Sequence, residues 1–267
     1  MSDFLSEIIE LKKKRLEVAK AKTPLAELKR KAFAVREKSA SHRLQKALTQ
    51  NDRINIIAEI KRASPSKGVI NDKIDVAETA KNYERGGACA ISVLTEEDQF
   101  QGNLEDLKIA KNSVEIPILR KDFIFDEFQI YEAAANGADA ILLIAAVLDN
   151  EVLTKLHYLG ERELGLDVLL EVHTLEELER AKAVGAKIIG VNNRDLHSFV
   201  VSLDVSRELI KHAPKDSLLI AESGLQTRED ITELRNSGFA GFLIGETLMR
   251  SGNAEQELKK LATNNTN

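Results

Sequence analysis

Ile118-Leu119-Arg120-Lys121-Asp122-Phe123 is the stretch on which the reading of the fold turns. Pro117 opens it, a short β-type run follows, and at Lys121 the apolar character stops abruptly in charge. The same construction recurs at Ala58-Glu59-Ile60-Lys61, Leu170-Glu171-Val172 and Ala221-Glu222-Ser223-Gly224. In a parallel barrel the chemistry lies at the C-terminal ends of the strands, where these charges fall.

Working outward, short β-rich runs alternate from Ile54 onward with longer amphipathic stretches, the pattern of βαβ units and a parallel sheet. The runs are Ile54 to Ile60, Ala88 to Leu94, Ile116 to Leu119, Ala138 to Ile144, Asp167 to Val172, Lys187 to Val191, Leu218 to Ala221 and Phe239 to Ile244, eight in all. Segments such as Val76 to Arg85, Glu127 to Ala135, Leu175 to Val184 and Arg228 to Asn236 have the three- and four-residue apolar spacing of helices. A helix stop precedes every second strand, at Gly87-Ala88, Gly137-Ala138, Gly185-Ala186 and Gly238-Phe239, a period of about 50 residues or two βα units. Eight units in about 200 residues predict an α/β fold of the (β/α)8, or TIM, barrel type. No G-x-G-x-x-G follows the first strand, so a dinucleotide fold loses its main support.

Residues 1–50 differ in character. Phe4, Leu5, Ile8, Ile9 and Leu16, then Leu25, Leu28, Ala32 and Val35 after Thr23-Pro24, recur at helical spacing. Two or three helices are expected as an extension of a single domain spanning 1–267. Basic residues there outnumber acidic ones roughly two to one, either as a solvated face or as a cover over an anionic ligand.

Composition excludes several classes of function. A chain of 267 residues, 43% hydrophobic, buries a full-sized core without staples. Net charge is -5 and no basic stripe interleaves with aromatics beyond the N-terminal segment, which argues against nucleic acid as a partner. The longest apolar run, Ala140 to Leu148, falls far short of the roughly 20 residues that span a bilayer. The only cysteine, Cys89, has no partner for an intramolecular disulfide, and no signal-peptide h-region opens the chain. A cytoplasmic location is expected.

The strand ends define the candidate site. Glu59 and Lys61, two apart, point to one side of the first strand. Lys121, Glu171 and Glu222 end the third, fifth and seventh, and alternate strands fill the same interior layer of a barrel, so these groups converge. Burial of such a mixed cluster shifts pKa values toward catalytic usefulness. Lys121 is the leading candidate acid, and a second ammonium nearby, Lys61, is expected to lower its pKa. Asn192, Asn193 and Arg194 follow the sixth strand. Glu222-Ser223-Gly224 and Gly245-Glu246-Thr247 read as glycine turns leading into helices, where barrels bind phosphate. Ser64-Pro65-Ser66-Lys67-Gly68 adds hydroxyls and a cation at the same rim. Phe123 and Leu196 are placed to flank an apolar slot. His173 and His197 lack ligand spacing and read as loop histidines, and no metal is expected.

The runs Ala58 to Ser66, Ser92 to Glu96, Leu119 to Phe123, Leu170 to His173, Gly190 to Arg194, Ala221 to Gly224 and Ile244 to Met249 resemble the indole-3-glycerol-phosphate synthase family, in order, at seven of eight strand ends. Leu142 to Ala146 on the fourth strand carries nothing diagnostic. The resemblance implies ring closure of 1-(2-carboxyphenylamino)-1-deoxyribulose 5-phosphate with loss of carbon dioxide and water, a step of tryptophan biosynthesis, catalysed by a carboxy-lyase without a cofactor. It also implies an N-terminal extension near the barrel mouth. By the same resemblance Lys121 would be the general acid of ring closure. Glu171 would serve the dehydration, with Lys61 and Asn192 assisting at the departing hydroxyl and Glu59 orienting Lys61. Ser64 and Arg194 would receive the anthranilate carboxylate. Backbone amides near Gly224 and Gly245, with Ser223 and Lys61, would hold the phosphate, beside Glu222 and Glu246. The alternatives are phosphoribosylanthranilate isomerase or another phosphate-binding barrel enzyme and, last, a non-enzymatic barrel that binds an anionic ligand. The expected partner is a small phosphorylated substrate, and the expected assembly a monomer or weak homo-oligomer.

Overall fold

Eight parallel strands close on themselves in a computed structural model that describes residues 3–262. The limits of the expected domain, 1–2 and 263–267, lie outside the described residues. The barrel strands are β1 (Ile56–Ile60), β2 (Ala90–Leu94), β3 (Ile118–Lys121), β4 (Ala140–Ile144), β5 (Asp167–Val172), β6 (Ile188–Asn192), β7 (Leu218–Glu222) and β8 (Gly241–Ile244). The last pairs with the first, Ile56 opposite Phe242, so no barrel edge is left unpaired. A TIM barrel was the reading of the sequence, and it is what the chain forms.

The helices that follow the strands are α4 (Val76–Arg85), α5 (Leu104–Ser113), α6 (Glu127–Ala135), α7 (Asn150–Tyr158), α8 (Leu175–Ala183), α9 (Asp204–Leu209), α10 (Arg228–Asn236), α11 (Glu246–Arg250) and α12 (Ala254–Ala262). Side chains of Asp75, Asn103, Asp126, Asp149, Thr174 and Thr227 accept from the first-turn amides of α4 to α8 and α10. A cap of this type contributes about 1 kcal/mol. The four glycines before the even strands have positive φ, between 73° and 114°, as a helix stop requires.

The strands are displaced slightly from the apolar runs, for a local reason. The first residues of several runs precede the strands proper, yet they bond to the neighbouring strand and tie the barrel base. Asn55 Nδ2 donates to the carbonyls of Leu48, Gln50 and Ala240, each at 2.9 Å. At the other end the ladders continue into the polar residues, with Lys121 opposite Leu94 and Glu222 opposite Asn192.

Inside the barrel the period of two sets the layers. Ile57, Leu119, Leu169 and Ile220 of the odd strands pack in one apolar cluster, and two residues further along the same strands stand Glu59, Lys121, Glu171 and Glu222. Each fully buried Ile or Leu of the lower layer contributes about 1.5–3 kcal/mol.

The N-terminal extension has three helices, α1 (Asp3–Lys22), α2 (Leu25–Arg36) and α3 (Arg43–Leu48). Among the described residues of the extension, only Phe4 of α1 lines the mouth. Helix α2 packs along α6, and α3 inserts Leu44 and Leu48 into the apolar cluster from the base. A position near the mouth therefore describes α1, not the whole segment. The amides of Leu44 and Gln45 donate to Asp167, the first residue of β5, which anchors α3 at the base.

Candidate active site

The upper layer brings the odd-strand charges together. Lys121 Nζ lies 3.2 Å from Glu171 Oε2 and 3.3 Å from Glu222 Oε2. Lys61 Nζ lies 2.6 Å from Glu59 Oε1. From β6, Asn192 Nδ2 donates to Glu171 Oε1 at 3.1 Å. The other oxygen of Glu222, Oε1, is buried without a hydrogen-bond partner. Glu222 can lie across β6 only because residue 190 is glycine, since a Cβ there would overlap Oε1. Gly245 does the same for the other pair, as its Cβ would stand 2.6 Å from Glu59 Oε1 and 3.1 Å from Lys61 Nζ.

Burial and charge split these groups. Burial would lower the Lys121 pKa, but Glu222, Glu171 and Glu59 outweigh it and hold the ammonium well above its ordinary value. Burial pushes the Glu222 carboxyl up to about 7, with Lys121 opposing and Glu171 adding to the rise. For Glu171 burial acts upward too, but Lys121, His173 and Asn192 together bring it below the ordinary carboxylate range. Two carboxylates that share one lysine are thus separated, one ionised and one able to keep a proton near neutrality.

The residues on either side of Lys121 point outward, as strand alternation demands. Arg120 donates to Asp122, to Thr95 Oγ1 and to the Gln129 carbonyl, and pairs with Glu132 at 2.9 Å. Asp122 also takes Lys12 of α1 at 2.8 Å, and the same ammonium reaches Glu97 at 2.8 Å. The N-terminal helix is therefore bolted to the strand end that carries Lys121.

Above the layer opens a cavity of about 830 Å³. Ser64, Ser66 and Lys67 line one side, and Arg194, whose Nη1 donates to Ser66 Oγ at 3.3 Å, another. Phe123 faces Phe100, ring centroids 6.5 Å apart, and Phe4 of α1 meets Phe199 edge-on at 5.1 Å. Leu196, Leu142 and Ile144 complete an apolar wall. At the far end Ser223 and Gly224 have φ of 64° and 79°, next to Gly245, Glu246 and Thr247. The cavity thus offers cations and hydroxyls around an apolar slot, which suits a ligand with anionic groups and an aromatic ring.

A family model described as indole-3-glycerol phosphate synthase matches residues 5–261. The chain belongs to the indole-3-glycerol phosphate synthase family. A protein of that name from Carboxydothermus hydrogenoformans is 43% identical over 97% of this chain and 99% of its own. Another, from Legionella pneumophila (strain Paris), is 44% identical over 98% of this chain and all of its own. Among solved structures, a thiamine phosphate pyrophosphorylase from Pyrococcus furiosus aligns with a TM-score of 0.58 at 18% identity, covering 78% of this chain and 93% of that one, a likeness of fold alone. The resemblance read from strand-end motifs is borne out, and with it the carboxy-lyase assignment. The isomerase and non-enzymatic alternatives fall away.

Within this indole-3-glycerol phosphate synthase scaffold, the fourteen residues read from the sequence as catalytic or substrate-binding all line this cavity, whereas Asn193 and His173 do not. Two local expectations need correction. Lys61 does not depress Lys121, because its ammonium is paired with Glu59 while Lys121 sits between two carboxylates. The turn at Gly224 does not run into a helix, since α10 starts only at Arg228 behind its own Thr227–Asp230 capping box. Gly245 does lead directly into a helix, the single-turn α11. His173 is a loop histidine as read, in the bend between β5 and α8, yet it is largely buried and lies 3.4 Å from Glu171. Sequence reading also missed the roles of Asn193, Gly190 and strand β4. Asn193 Nδ2 donates to the carbonyls of Glu222 and Ser223, bracing the strand that presents them. Gly190 lay inside a quoted motif, and only the path of Glu222 explains it. Leu142 and Ile144 gave no signal because an apolar residue in a strand reads as core wherever it points.

Proposed function

We propose that this chain closes the indole ring of 1-(2-carboxyphenylamino)-1-deoxyribulose 5-phosphate with Lys121 as general acid and Glu171 as the group that serves dehydration. The aromatic carbon bearing the carboxylate attacks the substrate carbonyl while Lys121 Nζ–H protonates its oxygen. The carboxylate leaves as carbon dioxide and its bonding electrons restore the ring. Glu171 then takes a proton from the ring methylene beside the nitrogen, while the new hydroxyl receives a proton from Lys61, oriented by Glu59 and assisted by Asn192, and departs as water. Ser64 and Arg194 receive the substrate carboxylate. Lys61, Ser223 and the amides near Gly224 and Gly245 hold the phosphate, with Glu222 and Glu246 beside it and Phe123 and Leu196 flanking the ring. No cofactor or metal enters these steps.

The observation that carries this reading is the odd-strand layer, with Lys121 between Glu171 and Glu222 under a cavity lined by Lys61 and Arg194. Holding an anionic group at each end folds the flexible middle toward closure, which is catalysis by positioning. Lys121 is charged at rest, the protonation state an acid needs. When Glu222 takes a proton, Lys121 loses one of its two adjacent carboxylate charges and becomes the stronger acid. No helix among the described residues is long and apolar enough to cross a membrane. On this reading the protein is a single-domain cytoplasmic enzyme, monomeric or weakly self-associating, and takes no nucleic acid.

Incubation of the purified protein with the carboxyphenylamino substrate, followed by indole fluorescence, tests the activity, and no product above background would sink it. Lys121→Ala is expected to lower kcat by roughly a thousandfold with substrate binding retained. A variant with near-normal kcat removes Lys121 from the acid role.

A further inference from the structure

Glu171 has a neighbour that the family reaction, as laid out above, does not use. His173 follows it by two residues at the end of β5, where its side chain is 11% exposed. Its ring is gripped from behind. Nδ1 lies 3.2 Å from Glu177 Oε2, and the same oxygen accepts the His173 backbone amide at 2.7 Å. Glu177 stands in the first turn of α8, where its own amide donates to the capping Thr174 Oγ1 at 3.2 Å. Helix capping accounts for the grip of Glu177 on the backbone. It does not account for the far side of the ring, where the buried Nε2 has no hydrogen-bond partner and points at Glu171 Oε1 from 3.4 Å.

We propose that His173 is the positioning residue of Glu171, an imidazolium held by Glu177 that keeps Glu171 ionised and oriented after Lys121 has given up its proton. This rests on the reading of Glu171 as the dehydrating base. In the resting site Lys121 is the cation paired with both Glu171 and Glu222. Once Lys121 has protonated the substrate carbonyl it is a neutral amine, and two buried carboxylates lose their shared cation. Glu171 would then draw a proton and could not serve as a base in the second half-reaction. His173 supplies the missing charge from the opposite oxygen. The charged groups that face it are Glu177, Glu171 and Glu222, with Lys121 behind the latter two. Burial alone would lower the imidazole pKa, but these three carboxylates outweigh it and raise it above the ordinary value.

The test is the pH profile of kcat in His173→Phe, His173→Gln and Glu177→Gln. In His173→Phe the acid limb should move up by roughly one pH unit and kcat below neutrality should fall about tenfold, while KM stays within about twofold. His173→Gln should recover part of the rate by donating to Glu171 but keep the shifted limb, because it carries no charge. Glu177→Gln, which preserves the cap, should move the limb the same way by a smaller amount and carries the test if His173→Phe does not fold. Nitrogen-15 NMR of the intact enzyme should find the His173 imidazole titrating above about 6.5. An unshifted acid limb in these variants, or an imidazole that titrates at or below that value, would overturn the proposal. If instead Glu171→Gln retains near-normal kcat, it is the reading of Glu171 that fails, and the titration of His173 still reports on the contact itself.

Discussion

The two ends of the barrel both bury charge, and they treat it in opposite ways. At the base, Asp139 accepts from Arg43 at 2.9 and 3.0 Å, from Lys111 at 2.8 Å and from the Ile118 amide at 2.9 Å. Asp167 takes the amides of Leu44 and Gln45 at 2.7 and 3.1 Å and lies 3.2 Å from His42. Arg36 is tied to the carbonyls of Leu164 and Gly165 at 2.9 and 2.8 Å. These charges are knotted to backbone and join helix ends to strand starts. At the mouth, among the described residues, no backbone bond is found for the side chains of Lys121, Glu171 or Glu222, and Glu222 keeps an unpartnered oxygen. Saturated charge holds the fold, whereas under-coordinated charge is left free to exchange protons.

Substitutions at the two ends should therefore separate rate from stability. The largest effect belongs to the mouth, where Glu171→Gln is expected to cost 10²–10⁴ in kcat, as is usual for a positioned base, roughly, with the melting temperature little changed. Parallel kinetics and calorimetry check both halves. At the base, Asp139→Ala leaves Arg43 and Lys111 facing a void and should destabilise the fold by about 3–5 kcal/mol. The kcat of the folded fraction should not move, and a matching loss of rate would erase the distinction between the ends.

Lys12→Met probes the seam between the two classes, because Lys12 is buried like a structural charge yet anchors the active-site rim. Unbolting α1 also frees Phe4 from the cavity wall. We expect a loss of about 2–3 kcal/mol, since Asp122 retains Arg120 and Thr95, together with a rise in KM that titration with a substrate analogue would reveal.

The smallest effect concerns Glu222. Its folded pKa lies above the ordinary value, at about 7. Between about 4.5 and 7 the unfolded chain has released this proton while the folded chain keeps it, so the unfolded state binds fewer protons and stability falls as pH rises. Glu222→Gln removes that loss. The variant should match the parent near pH 4 and exceed it at pH 8 by on the order of 1 kcal/mol, measurable as a difference in denaturation midpoints. Equal midpoints at both pH values would mean that Glu222 is already ionised in the fold.

Much of this was legible along the chain because it is periodic and local. Eight apolar runs, their alternation with helical segments and the glycine stops before even strands depend on neighbours a few residues away. So does the placing of Glu59 with Lys61, and of Lys121 apart from Arg120 and Asp122, since a strand alternates its side chains. The position of α3 under the barrel, the pairing of Lys12 with Asp122 and the approach of His173 to Glu171 left no such trace. A histidine two residues after a glutamate shares its side of the strand, but whether its ring turns toward that carboxylate depends on Glu177 and the start of α8.

The sequence by itself determined the barrel, the order of its strand ends and the set of residues that share the upper layer, because each follows from a repeat of two or of about 50 residues. Tertiary structure alone decided which charge meets which. Lys61 pairs with Glu59 and leaves Lys121 to Glu171 and Glu222, and that choice reverses the shift expected for the lysine. A pKa is set by distance through space and by exclusion of water, and neither exists until the last strand closes on the first.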